Sequence, residues 1–186
     1  MPLEPHPRRA ELKAFIVSHH ELHRAWSGIV YRGTRIEFAG DGEFLSGEGS
    51  FLHGGRWNAP EVGRAVYTSL DHKTVVEEAS AGDRVFGILK ALPMTIRAVR
   101  CELQLVIDLT ANLAGLGLML EDVAGADWRA QNQEGREAIS QAIGYASHGA
   151  GLEGILVPSA LGKGTNLVIF PGNILKNSHL SLDPNT

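Results

Sequence analysis

The sequence lacks the features that mark several common protein classes. Its 186 residues include one cysteine, Cys101. That excludes an internal disulfide and a cysteine-built zinc site, and it fits a reducing compartment. No run approaches the ~18 consecutive apolar residues of a membrane span. The N-terminus carries no apolar stretch of signal-peptide type, so a soluble cytoplasmic protein is expected. Basic residues are not in excess: 17 Lys and Arg stand against 21 Asp and Glu, for a net charge of -4. This excludes a broad nucleic-acid-binding face but not a local cationic pocket. His19, His20 and His23 lack the carboxylate or cysteine companions of a metal site and read as surface histidines. Gly162-Lys163-Gly164-Thr165 lacks the upstream glycine of a Walker loop, and Gly115-Leu116-Gly117 lacks the third glycine of a dinucleotide fingerprint.

What is present is an apolar content of 44%, enough for one domain with a core. Residues 1–8, rich in proline and charge, read as a loose arm. Residues 9–24 carry apolar positions suited to a one-faced helix. Val30 and Tyr31 read as a short strand leading to Arg32. Six glycines within 39–55 read as a loop. Ala65–Thr68 reads as a strand, followed by a helix capped by Asp71 and carrying Glu78. Val85–Leu92 and Cys101–Leu109 are the next strand candidates, and 111–127 has no clear period. Gly135–His148 places Ala138, Ile139, Ala142, Ile143 and Ala146 on one helical stripe. Gly154–Pro158 and Asn166–Phe170 read as two late strands, and the tail from Lys176 as frayed. With no repeat or linker, the pattern predicts one α+β domain.

The residues suited to chemistry are scattered. Gly54-Gly55-Arg56-Trp57-Asn58 joins a tight turn to a planar cation. Tyr31-Arg32 precedes it; Val66-Tyr67-Thr68, Glu78 and Pro158-Ser159-Ala160 follow. Cations for phosphate, a flat ring for stacking and a carboxylate for sugar hydroxyls are the parts of a pocket for a phosphorylated sugar nucleotide. Each residue also has a structural reading. The arginines could form surface ion pairs, Tyr67 could belong to the core, Glu77 and Glu78 could form a solvated helical pair, and Ser159 could cap a turn.

Taken with Ser46-Gly47-Glu48-Gly49, Asp108-Leu109-Thr110, Gln141 and Asn166–Pro171, these segments keep an order and spacing that resembles the RES-domain family. Its members are the toxin halves of bacterial RES–Xre toxin–antitoxin pairs. The resemblance covers about Trp26 to Pro171, dividing the chain into an N-terminal arm and helix (1–25), a RES domain (26–171) and a tail (172–186). It implies a fold like that of ADP-ribosyltransferases, with split mixed sheets and flanking helices, and depletion of NAD by hydrolysis or phosphorolysis. NAD is then a substrate, with no cofactor or metal. The family's name-giving arginine, glutamate and serine become Arg32, Glu78 and Ser159, with Arg56 and Tyr67 as further pocket residues. Gly33 departs from the bulkier residue that commonly follows the arginine. The implied partner is an Xre-type antitoxin that would supply any DNA contact; a homodimer is left open. Two other readings keep the same residues: ADP-ribosyl transfer to a macromolecule, and a non-catalytic module that only docks a partner.

Overall fold

The computed structural model describes residues 2–85, 93–125, 127–161 and 164–184, with 79–85 as backbone alone. In chain order the main elements are α1 (Arg9–Ser18), β1 (His23–Arg35), α2 (Asp41–Phe44), α3 (Glu48–His53), β2 (Val66–Ser69) and α4 (His72–Val85). They continue with β3 (Met94–Asp108), α5 (Leu109–Asn112), α6 (Trp128–Gln133), α7 (Ile139–Gly149), β4 (Gly154–Pro158), β5 (Thr165–Ile169) and β6 (His179–Leu182). The domain is mixed α/β, a sheet with flanking helices.

The long antiparallel ladder of β1 and β3 frames the sheet, running from His23↔Ile107 to Arg35↔Met94. Both strands exceed the expected lengths because each lends its apolar positions to the core while the other supplies its hydrogen bonds. On its other edge β3 carries β6 along 99–102 and then β4, in parallel, along 106–108. β4 pairs with β5, β5 with β2, and β2 returns to β1 through Tyr31↔Ser69. The strands therefore form one continuous sheet that closes on itself, in place of the split sheets implied by the resemblance. The length of β3, which borders three neighbours, makes the closure feasible.

β4 and β5 are apolar on both faces, as expected of strands covered on both sides. Ile155, Val157 and Val168 face a core completed by Leu12 and Ile16 of α1 and by Ile143 and Ala146 of α7. Leu156, Leu167 and Ile169 face a second core with Val30, Phe44, Val99 and Leu103. Cys101 belongs to that second core, where burial pushes its thiol up to about 12, so it is packing and not a nucleophile.

Several expectations are corrected. The N-terminal arm is tied down: Glu4 N–H donates to Gly135 O at 2.7 Å, and Glu137 N–H donates to Glu4 O at 2.9 Å. The cause is Glu137, whose carboxylate is buried and takes hydrogen bonds from His6 N and from the Arg9 guanidinium (2.6 and 2.8 Å). A buried charge needs such partners, and the arm supplies them. The 39–55 segment forms two short helices, α2 and α3, its glycines falling at their ends and first turns. The tail is not frayed, because β6 pairs with β3 and Asp183 meets Arg100 at 3.0 Å. The strand expected over Val85–Leu92 lies outside the described residues except for Val85, the last residue of α4. Among the described residues, no helix is long and apolar enough to cross a membrane.

Candidate active site

β1 delivers Arg32, the α3–β2 connection delivers Arg56, β2 delivers Tyr67 and α4 delivers Glu78. All four line one cleft of about 610 Å³, whose far wall is Trp128 and Arg129 of α6. This volume falls within the range of small-molecule sites. A smaller recess of about 140 Å³ adjoins, lined by Gly33, Tyr67, Val75, Glu78 and Asn166 among others. Tyr67 and Glu78 border both spaces.

Asp71 starts α4 by accepting from Thr74 N at 2.8 Å, the helix cap expected of it. Two turns on, Glu78 reaches the end of β4 and the start of β5. Its Oε1 accepts from Ser159 Oγ at 2.6 Å and from Asn166 Nδ2 at 3.0 Å. Ser159 lies behind the carboxylate, fully buried, and its hydroxyl also accepts from Leu161 N at 3.2 Å. Asn166 is held in turn by Ser69 Oγ, which donates to Asn166 Oδ1 at 2.8 Å. The neighbouring Glu77 pairs loosely with Lys73 at 3.8 Å, a solvated i,i+4 contact.

The Gly54–Asn58 loop is braced from two sides. The Tyr67 hydroxyl accepts from Trp57 N at 2.9 Å and donates to Asn58 Oδ1 at 2.7 Å, and burial pushes its ionisation well above the ordinary range. Gln141, buried in α7, donates through Nε2 to Gly55 O at 3.0 Å and to Asn132 Oδ1 at 2.9 Å. Gly55 is required here because a Cβ would lie 2.3 Å from Tyr67 Oη. Arg56 is anchored through Nη1 to Val123 O at 2.8 Å. Burial lowers its basicity, Glu78 raises it, and Arg129 lowers it again.

Arg32 donates from Nη1 to Tyr67 O at 3.2 Å and lies 5.6 Å from the centre of the Phe44 ring. Its buried Nε has no acceptor among the described residues. Burial pulls its pKa down to about 10. The cost of charging it is fully present below that pH and lifts only toward the ordinary arginine range, so no working pH relieves it. Arg32→Met should therefore leave the ligand-free protein at least as stable as wild type, by roughly 1 kcal/mol or a few degrees. A thermal melt checks this, and a fall of several degrees would show that the guanidinium stabilises the fold.

The structure thus gathers Arg32, Arg56, Tyr67 and Glu78 around one space and sets Ser159 behind Glu78. Sequence reasoning missed Trp128, Arg129 and the support of Asn166. The first two lie between the unassigned stretch 111–127 and the helical stripe of 135–148, and Asn166 reads from sequence as a strand residue and as the start of the last matching segment, with no role at the site. Gly33 is accommodated because Met94 Cε fills the position, 2.7 Å from where a Cβ would stand. Among the described residues no group of three His, Cys, Asp or Glu could hold a metal ion.

Comparisons with known proteins bear on the family and the fold. Among solved structures, the crystal structure of the Mycobacterium tuberculosis MbcT–MbcA toxin–antitoxin complex matches with a TM-score of 0.66 and 28% identity, over 92% of this chain and 91% of that one. The NAD(+) phosphorylases MbcT of Mycobacterium tuberculosis and Mycobacterium bovis are each 28% identical over 170 residues, 86% of this chain and 84% of theirs. The model of the RES domain matches residues 21–183. The chain belongs to the RES-domain family.

Proposed function

We propose that this protein is a toxin that consumes NAD by cleaving its nicotinamide–ribose bond with phosphate as the acceptor, and that a cognate antitoxin restrains it. The observation that carries the reading is the meeting of the 610 Å³ cleft and the 140 Å³ recess at Tyr67 and Glu78. The larger space takes the ADP-ribose half, the smaller takes nicotinamide, and the scissile bond lies beside the carboxylate.

Cleavage places positive charge on the ribose, as in other glycosidic reactions. Glu78 faces that charge with an anion whose Oε1 is held by Ser159 and Asn166. A preorganised charge of this kind favours the transition state over the ground state. Ser159 is thus a positioning residue that acts through Glu78. Arg32 and Arg56 take the diphosphate, and Tyr67 both stacks against the substrate and braces the loop that carries Arg56. A phosphate oxygen bonds to the ribose C1 as the glycosidic electron pair leaves with nicotinamide, which departs neutral. With water as acceptor the product would be free ADP-ribose. The fold, on this reading, is a closed variant of the ADP-ribosyltransferase architecture, and the site of action is the cytoplasm, where NAD is available.

The test is to incubate the purified chain with NAD, with and without inorganic phosphate, and to separate the products. Phosphate-dependent release of nicotinamide with a phosphorylated ADP-ribose is expected. Release independent of phosphate would assign hydrolysis. An unchanged NAD pool would reject the activity. For the partner, an Xre-type antitoxin that inserts a carboxylate toward Arg32 and Arg56 should compete with NAD. Titrating NAD into the complex checks this, and equal affinity for free and complexed toxin would exclude occlusion.

A further inference from the structure

Gly33 stands inside β1, where its backbone gives no reason for glycine. It has no positive φ, and it pairs across the ladder with Ile96 as any strand residue would. A glycine in a strand interior costs stability and marks a place where something else comes close. Two things come close here. The first is the smaller recess. β2 meets β1 through Tyr31↔Ser69, and extending that register would set Gly33 opposite Tyr67. In place of pairing, both residues line the recess of about 140 Å³, with Val75, Glu78 and Asn166. The second is Met94, which pairs with Arg35 and is therefore the diagonal neighbour of Gly33 on the same face of the ladder. Its thioether end lies over the glycine: a Cβ at 33 would stand 2.7 Å from Met94 Cε and 3.4 Å from Val75 Cγ2. The space that a side chain at 33 would take is thus bounded by a recess-lining valine and by the tip of Met94. The polar side chains near that wall are committed: Asn166 bonds Glu78 and Ser69, and Thr68 Oγ1 donates to Leu167 O at 2.6 Å. What this wall offers for discrimination is shape.

We infer that Met94 is a specificity-determining residue of the leaving-group recess: laid over Gly33, its thioether closes the recess and limits the substituent that the departing pyridine can carry. This rests on the reading above that the smaller space takes nicotinamide. Methionine suits the task, because an unbranched, polarizable chain fills an irregular gap closely. A ring with a primary carboxamide is admitted, and one enlarged at that group is turned away.

The experiment compares kcat/KM for NAD with that for an analogue whose carboxamide nitrogen carries an ethyl group, following release of each pyridine by chromatography with phosphate present. Met94→Val removes the end that covers Gly33 and keeps a strand-forming side chain. The analogue-to-NAD ratio should rise by about tenfold or more, the scale on which an apolar pocket discriminates a methylene. Adding Gly33→Ala to Met94→Val puts a Cβ into the opened space and should return the ratio toward wild type, a repair that a merely structural loss at 94 would not show. Met94→Leu, which keeps the volume but draws the tip back from Gly33, is the variant to read if Met94→Val melts early, with a smaller rise expected. A wild-type ratio in both single variants, with or without equal losses on the two substrates, would overturn the inference. So would a rise confined to an NAD analogue enlarged on its adenine ring, since the recess would then hold the adenine. Wild-type protein that releases no nicotinamide from NAD would overturn the proposed activity itself, and the inference with it.

Discussion

Glu78→Gln should reduce NAD consumption by roughly two to three orders of magnitude, the scale seen when a preorganised electrostatic contact to a transition state is removed. The substitution is unusually clean here. Oε1 of Glu78 accepts from both Ser159 Oγ and Asn166 Nδ2. A carboxamide oxygen can accept the same two bonds, so shape and supports persist while the charge facing the ribosyl cation disappears. Affinity for NAD, measured by calorimetry, should therefore change only a few-fold while turnover collapses. Ser159→Ala removes one of the two supports and should cost about tenfold in turnover. Glu77→Gln is the control, because that residue pairs loosely with Lys73 at the solvated surface and should be nearly silent. Turnover of Glu78→Gln close to wild type would place the cation-stabilising group elsewhere.

Why could so much of this site be read in the chain, yet not all of it? Arg32, Arg56, Tyr67 and Glu78 stand in short segments whose neighbours define their geometry locally. Glycines free the Arg56 loop, β-formers surround Tyr67, and Asp71 caps the helix that carries Glu78. Local physics of that kind is legible. Arg129 lies 73 positions after Arg56, just past the stretch 111–127 that shows no clear period. Only the closure of the sheet brings them to one cleft. The same applies to the fold. β4, β5 and α7 announced themselves through apolar runs and a helical stripe, whereas the arm and tail read as loose because their partners are distant. Glu137 secures the arm and β3 secures the tail, and neither contact leaves a signature in the segment that depends on it. Gln141 stood in the motif without an evident task. Its side chain ties Gly55 and Asn132, and so joins the loop of Arg56 to the helix of Arg129.

Gly144→Ala should destabilise the fold by about 3 kcal/mol, at the upper end of ordinary overpacking, which for a chain of this length lowers the melting midpoint by roughly 6–12 °C. In an exposed helix the same change would be favourable by about 1 kcal/mol, because alanine is the better helix former. Here the collision dominates: a Cβ at 144 would lie 1.7 Å from Trp57 O and 2.7 Å from its carbonyl carbon. Both atoms are backbone, so no rotamer change relieves the contact. Nor can the loop simply retreat. Gln141 Nε2 holds Gly55 O at 3.0 Å, and the Tyr67 hydroxyl takes Trp57 N–H at 2.9 Å, so moving Trp57 breaks bonds on both sides. Arg56, one residue before Trp57, moves with it. Activity should therefore fall further than the loss of folded protein explains, with a raised KM for NAD measured well below the melting midpoint. Gly149→Ala in the same helix is the control, since the nearest atom there is Lys13 Nζ at 3.7 Å, an ordinary contact. It should melt at or slightly above the wild-type temperature. If Gly144→Ala melts with wild type and keeps its KM for NAD, then α7 does not hold the Arg56 loop in place, and its support must come from Tyr67 and Val123 instead.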